Sequence, residues 1–147
     1  MKVLIVGVGS IGMRHLKNIA ALGHTLYAID IDPKKLAGAA HYAKNTFLSL
    51  DEALKIAPDV ALICTLNKDH VPMAIKCAKA GCHLFVEKPL SLILSRVEEL
   101  SCIIGEGKLV SMVGCNMRFH PAIKYIHDLL TKNPAFRKKL LAQLEFG

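Results

Sequence analysis

Gly7-Val8-Gly9-Ser10-Ile11-Gly12 directly follows a short apolar run and opens a stretch with helical periodicity. In that context the G-x-G-x-x-G spacing suits the pyrophosphate of a dinucleotide. Gly7 allows the tight turn, Gly9 lets the backbone approach the phosphates, and Gly12 lets the helix pack closely on a sheet. The helix N-terminus, with Ser10 and Ile11 in its first turn, offers free N–H groups and a positive dipole to the anion. Asp30 stands eighteen residues after Gly12, at the end of a second apolar run. There a carboxylate would accept hydrogen bonds from the adenosine ribose hydroxyls and repel a 2′-phosphate, favouring NAD over NADP. Lys34 and Lys35 lie just beyond and weaken that preference, so NADP stays open.

Three more segments place polar groups after apolar runs. Cys64-Thr65-Leu66-Asn67 is followed by Asp69-His70, where Asn67 is also a turn former and His70 also suits a helix start. Val86-Glu87-Lys88-Pro89 sets a cation at the end of a buried strand, and equally reads as a charged pair closing that strand. Gly114-Cys115-Asn116-Met117-Arg118 offers amide and guanidinium donors to a ligand, or a structural hydrogen-bonder at a helix start.

These segments need elements to position them. Lys2 to Val6 reads as a strand covered on both faces, and Ile11 to Leu22 as a helix stopped at Gly23. Strands follow over Thr25–Ile29, Asp59–Cys64, His83–Val86 and Leu109–Gly114. Helices are expected over Lys34–Tyr42, Leu50–Ile56 with a Ser49/Glu52 capping box, His70–Ala80, Ser91–Ile104 and Pro121–Leu130. Alternation with crossover-length connections predicts an α/β fold, a single doubly wound parallel sheet of the NAD(P)-binding Rossmann type. The last dozen residues fit a helical face or an alternating strand equally well.

The chain has 147 residues, 52% of them hydrophobic, enough for one domain with a core and too apolar for a disordered chain. No apolar run reaches spanning length, and the N-terminus reads as a strand rather than a secretion signal, so no membrane role and a cytoplasmic setting are expected. Nineteen basic residues against twelve acidic ones give +7, but only Arg137-Lys138-Lys139 is dense and there is no Trp. Nucleic acid is therefore not expected as a partner. Five cysteines without a C-x-x-C pair, and histidines outside zinc spacing, imply reduced thiols, mostly in the core, and no metal.

Taken together, these motifs resemble the N-terminal half of the glucose-fructose oxidoreductase / inositol dehydrogenase / rhizopine-catabolism (Gfo/Idh/MocA) family. The resemblance rests on the Gly7–Gly12 loop with Arg14-His15, on Thr65-x-Asn67-x-x-His70, on Glu87-Lys88-Pro89, and on Asn116-x-Arg118-Phe119-His120-Pro121. It implies a nicotinamide-dependent oxidoreductase acting on a sugar or cyclitol carbon, built as a Rossmann domain plus an antiparallel-sheet domain. Lys88 would be its catalytic lysine, bonding the reacting hydroxyl. Glu87 would line the cofactor site near the nicotinamide ribose, Thr65, Asn67 and His70 would contact the same half, and Asn116 and Arg118 the nicotinamide pocket. Leu66 departs from the family's usual proline.

The family's catalytic Asp and His lie in the second domain. Residues 1–138 are thus expected to form the dinucleotide-binding domain and 139–147 the start of an absent substrate domain, without which a sugar would not be turned over. A rival reading is a stand-alone NAD-sensing module of the kind attached to channels and transporters, which leaves Glu87-Lys88-Pro89 unexplained. S-adenosylmethionine binding suits the third glycine less well. If 140–146 is an unpaired strand, homo-oligomers through it are expected.

Overall fold

Val3 to Val6 are buried in unbroken succession, and such a run needs cover on both faces of the sheet it enters. The computed structural model, which describes residues 1–132, supplies that cover. Strand β1 (Lys2–Val6) sends Leu4 and Val6 into one core and Val3 and Ile5 into another. The first core is completed by α3 (Leu50–Leu54), α4 (His70–Lys79) and α5 (Val97–Glu106), through Ala53, Ala74 and Leu100. The second is completed by α1 (Ser10–Ala20) and α2 (Pro33–Ala39), through Leu16 and Leu36.

The remaining strands are β2 (Thr25–Ile29), β3 (Asn45–Phe47), β4 (Val60–Ile63), β5 (His83–Val86) and β6 (Ser111–Val113). All pairs are parallel, in the order β3-β2-β1-β4-β5-β6. The chain winds outward from β1 in one direction and from β4 in the other. The order therefore reverses between β1 and β4, the place where open sheets bind ligands at the strands' carboxyl ends. The expected doubly wound α/β fold is present.

Four local expectations are corrected. Strand β3 was not expected. Its three residues gain strand identity from pairing with β2, Tyr27 to Asn45 through Ile29 to Phe47. Ser91 does not open a helix, because its Oγ accepts the Ile93 N–H at 3.2 Å, a local turn that competes with helix. Helix α5 begins only at Val97, after Arg96 at φ 62°. Ser49 does precede α3, yet its side chain makes no capping bond, and Asp51 and Glu52 in the first turn supply the favourable charge instead. The thiols are also less internal than expected: Cys77 and Cys82 are buried, whereas Cys102 and Cys115 are exposed.

The chain divides into two compact units, Met1–Gly114 and Cys115 onward. The first holds the whole sheet. In the second, a 3-10 turn (Asn116–Phe119) leads into α6 (Pro121–Lys132). The expected boundary near residue 138, the second-domain start over 139–147 and the self-associating segment over 140–146 lie outside the described residues. Among the described residues no helix is long and apolar enough to cross a membrane.

Candidate dinucleotide site at the sheet's switch point

The glycine loop is shaped by contacts that exclude side chains. Gly7 has φ 90°, and a Cβ there would lie 2.9 Å from the Cys64 carbonyl oxygen. A Cβ on Gly12 would collide with the Gly7 carbonyl oxygen, so α1 can approach the turn only with glycine at that position. Gly9 is different: among the described residues nothing lies within 4 Å of where its Cβ would be. The space over the middle of the loop is open, as an approaching pyrophosphate requires.

Helix α1 begins after Gly9 with no side-chain cap and no acidic residue in its first turn. The first intrahelical acceptor is Gly9 O, which takes the Met13 N–H at 2.9 Å. The N–H groups of Ser10, Ile11 and Gly12 therefore have no intrahelical partner and present a positive helix end without a competing carboxylate.

Asp30 is buried at the end of β2. Its Oδ2 accepts the Val8 N–H at 2.9 Å, and its Oδ1 accepts the Asp32 N–H at 3.0 Å. Lys35 Nζ stands 3.7 Å from Oδ1, so that lysine answers the carboxylate rather than standing free for a phosphate. Asp32 caps α2 by accepting the Lys34 N–H at 2.9 Å.

Across the switch point, β4 ends beside the loop. The Cys64 N–H reaches Val6 O at 2.7 Å. The Cys64 thiol is pushed up to about 12 by burial and, secondarily, by the negative charge of Glu87. Thr65 follows, and its Oγ1 is buried with no hydrogen-bond partner among the described residues. A buried hydroxyl left unpaired is costly, and here it adjoins the glycine loop, since the Thr65 nitrogen lies 3.0 Å from the Gly7 Cβ position. Asn67 is exposed on a 3-10 turn (Asn67–Asp69).

His70 is only 1% exposed. Its Nδ1 lies 2.8 Å from Pro89 O and its Nε2 3.2 Å from Thr65 O. Both ring nitrogens thus face main-chain carbonyls. His70 lies between two strand-end loops, those carrying Thr65 and Pro89.

Glu87 ends β5, and its Oε1 accepts the His15 Nε2–H at 2.8 Å. The other oxygen accepts the Lys88 N–H at 3.2 Å. The His15 ring also meets Phe85 edge-on, with centroids 5.3 Å apart. Lys88 is exposed, the Lys88–Pro89 peptide is cis, and no hydrogen bond or ion pair engages the Lys88 ammonium among the described residues.

Gly7, Gly9, Ser10, Ile11, Gly12, Asp30, Thr65, Asn67, Glu87 and Lys88 therefore gather along the carboxyl edge of one sheet. Asn116 and Arg118 lie in the second unit, on its exposed 3-10 turn, where the Arg118 N–H bonds Cys115 O at 3.2 Å. The role of His15 escaped sequence reasoning. Its position shortly after Gly12 was the available signal, but its partner is 72 residues away. Among the described residues no three His, Cys, Asp or Glu side chains converge on a metal site.

The open space over Gly9, the uncapped helix end and the orphaned Thr65 hydroxyl all fit a bound dinucleotide. Comparison with known proteins agrees. A family profile described as "Oxidoreductase family, NAD-binding Rossmann fold" matches residues 1–115. A 4-carboxy-2-hydroxymuconate-6-semialdehyde dehydrogenase of Sphingobium sp. is 32% identical over 134 residues, covering 87% of this chain and 42% of that protein. A UDP-N-acetylglucosamine 3-dehydrogenase of Acidithiobacillus ferrooxidans is 32% identical over 129 residues, covering 87% and 41%. The crystal structure of scyllo-inositol dehydrogenase from Lactobacillus casei with NAD(H) and scyllo-inositol superposes with a TM-score of 0.83 at 26% identity, over 90% of this chain and 41% of that one. The chain thus spans about two fifths of the length of the relatives it matches.

Proposed function

Because this chain belongs to the Gfo/Idh/MocA oxidoreductase family, as its NAD-binding Rossmann domain, we propose that it serves hydride transfer between NAD and a hydroxyl-bearing carbon of a sugar or cyclitol. The observation that carries this reading is that the glycine loop, Thr65 with its unpartnered hydroxyl, and the Glu87-Lys88 segment follow the carboxyl ends of the adjacent strands β1, β4 and β5.

In the bound state the nicotinamide supplies the hydride acceptor. The chain's own residues bind and orient. The Ser10, Ile11 and Gly12 N–H groups take the pyrophosphate, and Gly9 leaves room for it. Asp30, whose two oxygens each retain accepting capacity beyond their backbone bonds, takes the adenosine ribose and disfavours a 2′-phosphate. Thr65 Oγ1 gains the partner it lacks. Lys88, exposed at the end of β5, donates to the reacting hydroxyl and eases loss of its proton. Oxidation of the alcohol to the carbonyl also needs a general base to take the hydroxyl proton, which the family resemblance puts in the second domain. Asn67 extends the cofactor site in this reading.

The substrate class is supported by relatives named for inositol and for a UDP-sugar. Five free cysteines suit a reducing, cytoplasmic setting. Titrating the chain with NADH and NADPH, followed by fluorescence, tests the cofactor: saturable NADH binding with weaker NADPH binding is expected. A folded chain that binds neither overturns the reading. NADH formation with inositols or UDP-sugars, in a polypeptide that also carries a second domain, tests the substrate class.

A further inference from the structure

We propose that His15 and His70 are positioning residues for Lys88, two imidazole pins: His15 acts through the Glu87 carboxylate, whose other oxygen accepts the Lys88 N–H, and His70 acts through the main-chain carbonyl of Pro89. The proposal rests on the reading of Lys88 as the substrate-facing amine, and it adds what keeps that amine in place.

The geometry is specific to the neighbours of Lys88. His15, on the helix whose N-terminus meets the pyrophosphate in the proposed function, donates to the Glu87 carboxylate at 2.8 Å, one residue before the lysine. His70, at the start of α4, puts Nδ1 2.8 Å from Pro89 O, one residue after it. Lys88 itself is left without a side-chain partner among the described residues. A free ammonium on a four-carbon stem wanders unless its backbone is fixed. Here that backbone is held at the Lys88 N–H, through the Glu87 carboxylate that His15 engages, and one residue on at the Pro89 carbonyl, through His70.

Volume alone does not explain His70. At 1% exposure an apolar side chain would fill the space without the cost of burying two ring nitrogens. The cost is offset only by the hydrogen bonds the ring makes. The shorter contact, 2.8 Å from Nδ1 to Pro89 O against 3.2 Å from Nε2 to Thr65 O, is where the proposal puts the donated proton. His15 is likewise restrained in orientation by the edge of Phe85.

The first test needs neither cofactor nor mutation. Nitrogen-15 spectra of the histidine rings in the intact chain report which ring nitrogen is protonated. His70 is expected to carry its proton on Nδ1. A ring protonated only on Nε2 could not donate to Pro89 O and would overturn the His70 pin. The second test follows Lys88 after reductive methylation with carbon-13 formaldehyde, its signal assigned by its loss in Lys88→Arg. His70→Leu and His15→Leu are expected to shift the Lys88 signal. His70→Asn, whose amide mimics Nδ1–H, and His15→Gln, whose amide mimics Nε2–H, are expected to restore it. Folded leucine variants with an unmoved Lys88 signal, or amide variants no better than leucine, overturn the proposal. If the leucine variants fail to fold, the ring spectra and the amide variants still decide. Both readouts are taken without dinucleotide, so a failure to bind NADH would sink the cofactor reading and leave the pins standing.

Discussion

The main-chain N–H of Val8 is donated to Asp30 Oδ2 at 2.9 Å, so the acid that ends β2 also fixes the middle of the glycine loop that follows β1. One carboxylate shapes the phosphate turn and, in the proposed function, meets the ribose. The two duties are separable by experiment only if stability is measured alongside binding.

Asp30→Ala removes the acceptor for both Val8 and Asp32 N–H groups. Stability in urea melts is expected to fall by about 1–3 kcal/mol, the range for a buried donor left unpaired, and NADH affinity is expected to fall with it. Asp30→Asn, which keeps one accepting oxygen, should lie between. An unchanged urea midpoint for Asp30→Ala would show that the loop does not depend on this bond.

Gly9→Ala and Gly12→Ala should behave as opposites. The new methyl at position 9 meets nothing within 4 Å, so the melting temperature should hardly move while dinucleotide binding is lost. At position 12 the methyl collides with the Gly7 carbonyl oxygen. Backbone cannot yield cheaply there, and the variant should unfold at markedly lower temperature or fail to accumulate. Equal melting temperatures for the two variants would contradict the packing described for α1.

Thr65→Val exchanges an unpartnered buried hydroxyl for a methyl of similar size. Without ligand the variant should be as stable as the wild type or slightly more so, because an unsatisfied polar group has been removed. Affinity for NADH should drop. Calorimetric titration together with thermal melts reads both effects, and a loss of stability without loss of affinity would assign the hydroxyl to the fold.

The cysteines divide by environment. At pH 8 Ellman's reagent should titrate Cys102 and Cys115 quickly, and Cys64, Cys77 and Cys82 only on unfolding. Burial first, then the negative charge of Glu87, lifts Cys64 to about 12. Burial first, then Cys82, lifts Cys77 to about 12, against a smaller lowering by Lys76. These thiols stay protonated in the folded chain while those of the unfolded chain ionise from about 9 upward. The unfolded state then binds fewer protons, so stability should decline as pH rises from about 9 toward 12. Serine at both positions should flatten that part of the profile.

What could be read from the residues in order was whatever depends on near neighbours. The Gly7–Gly12 spacing, the acid at position 30 and the apolar runs of β1, β2 and β5 announce a dinucleotide-binding α/β sheet, because turn sterics and the cover that a buried strand needs act over a few residues. The tertiary structure alone decided the rest. Asn45–Phe47 became a strand by lying beside β2, and Ser91 became a turn where helix propensity suggested a start. Folding carried His70 inward between the carbonyls of Thr65 and Pro89. His15 met Glu87 across 72 residues of sequence. Such pairings arise from where the sheet places its strand ends, and no local rule of spacing encodes that placement.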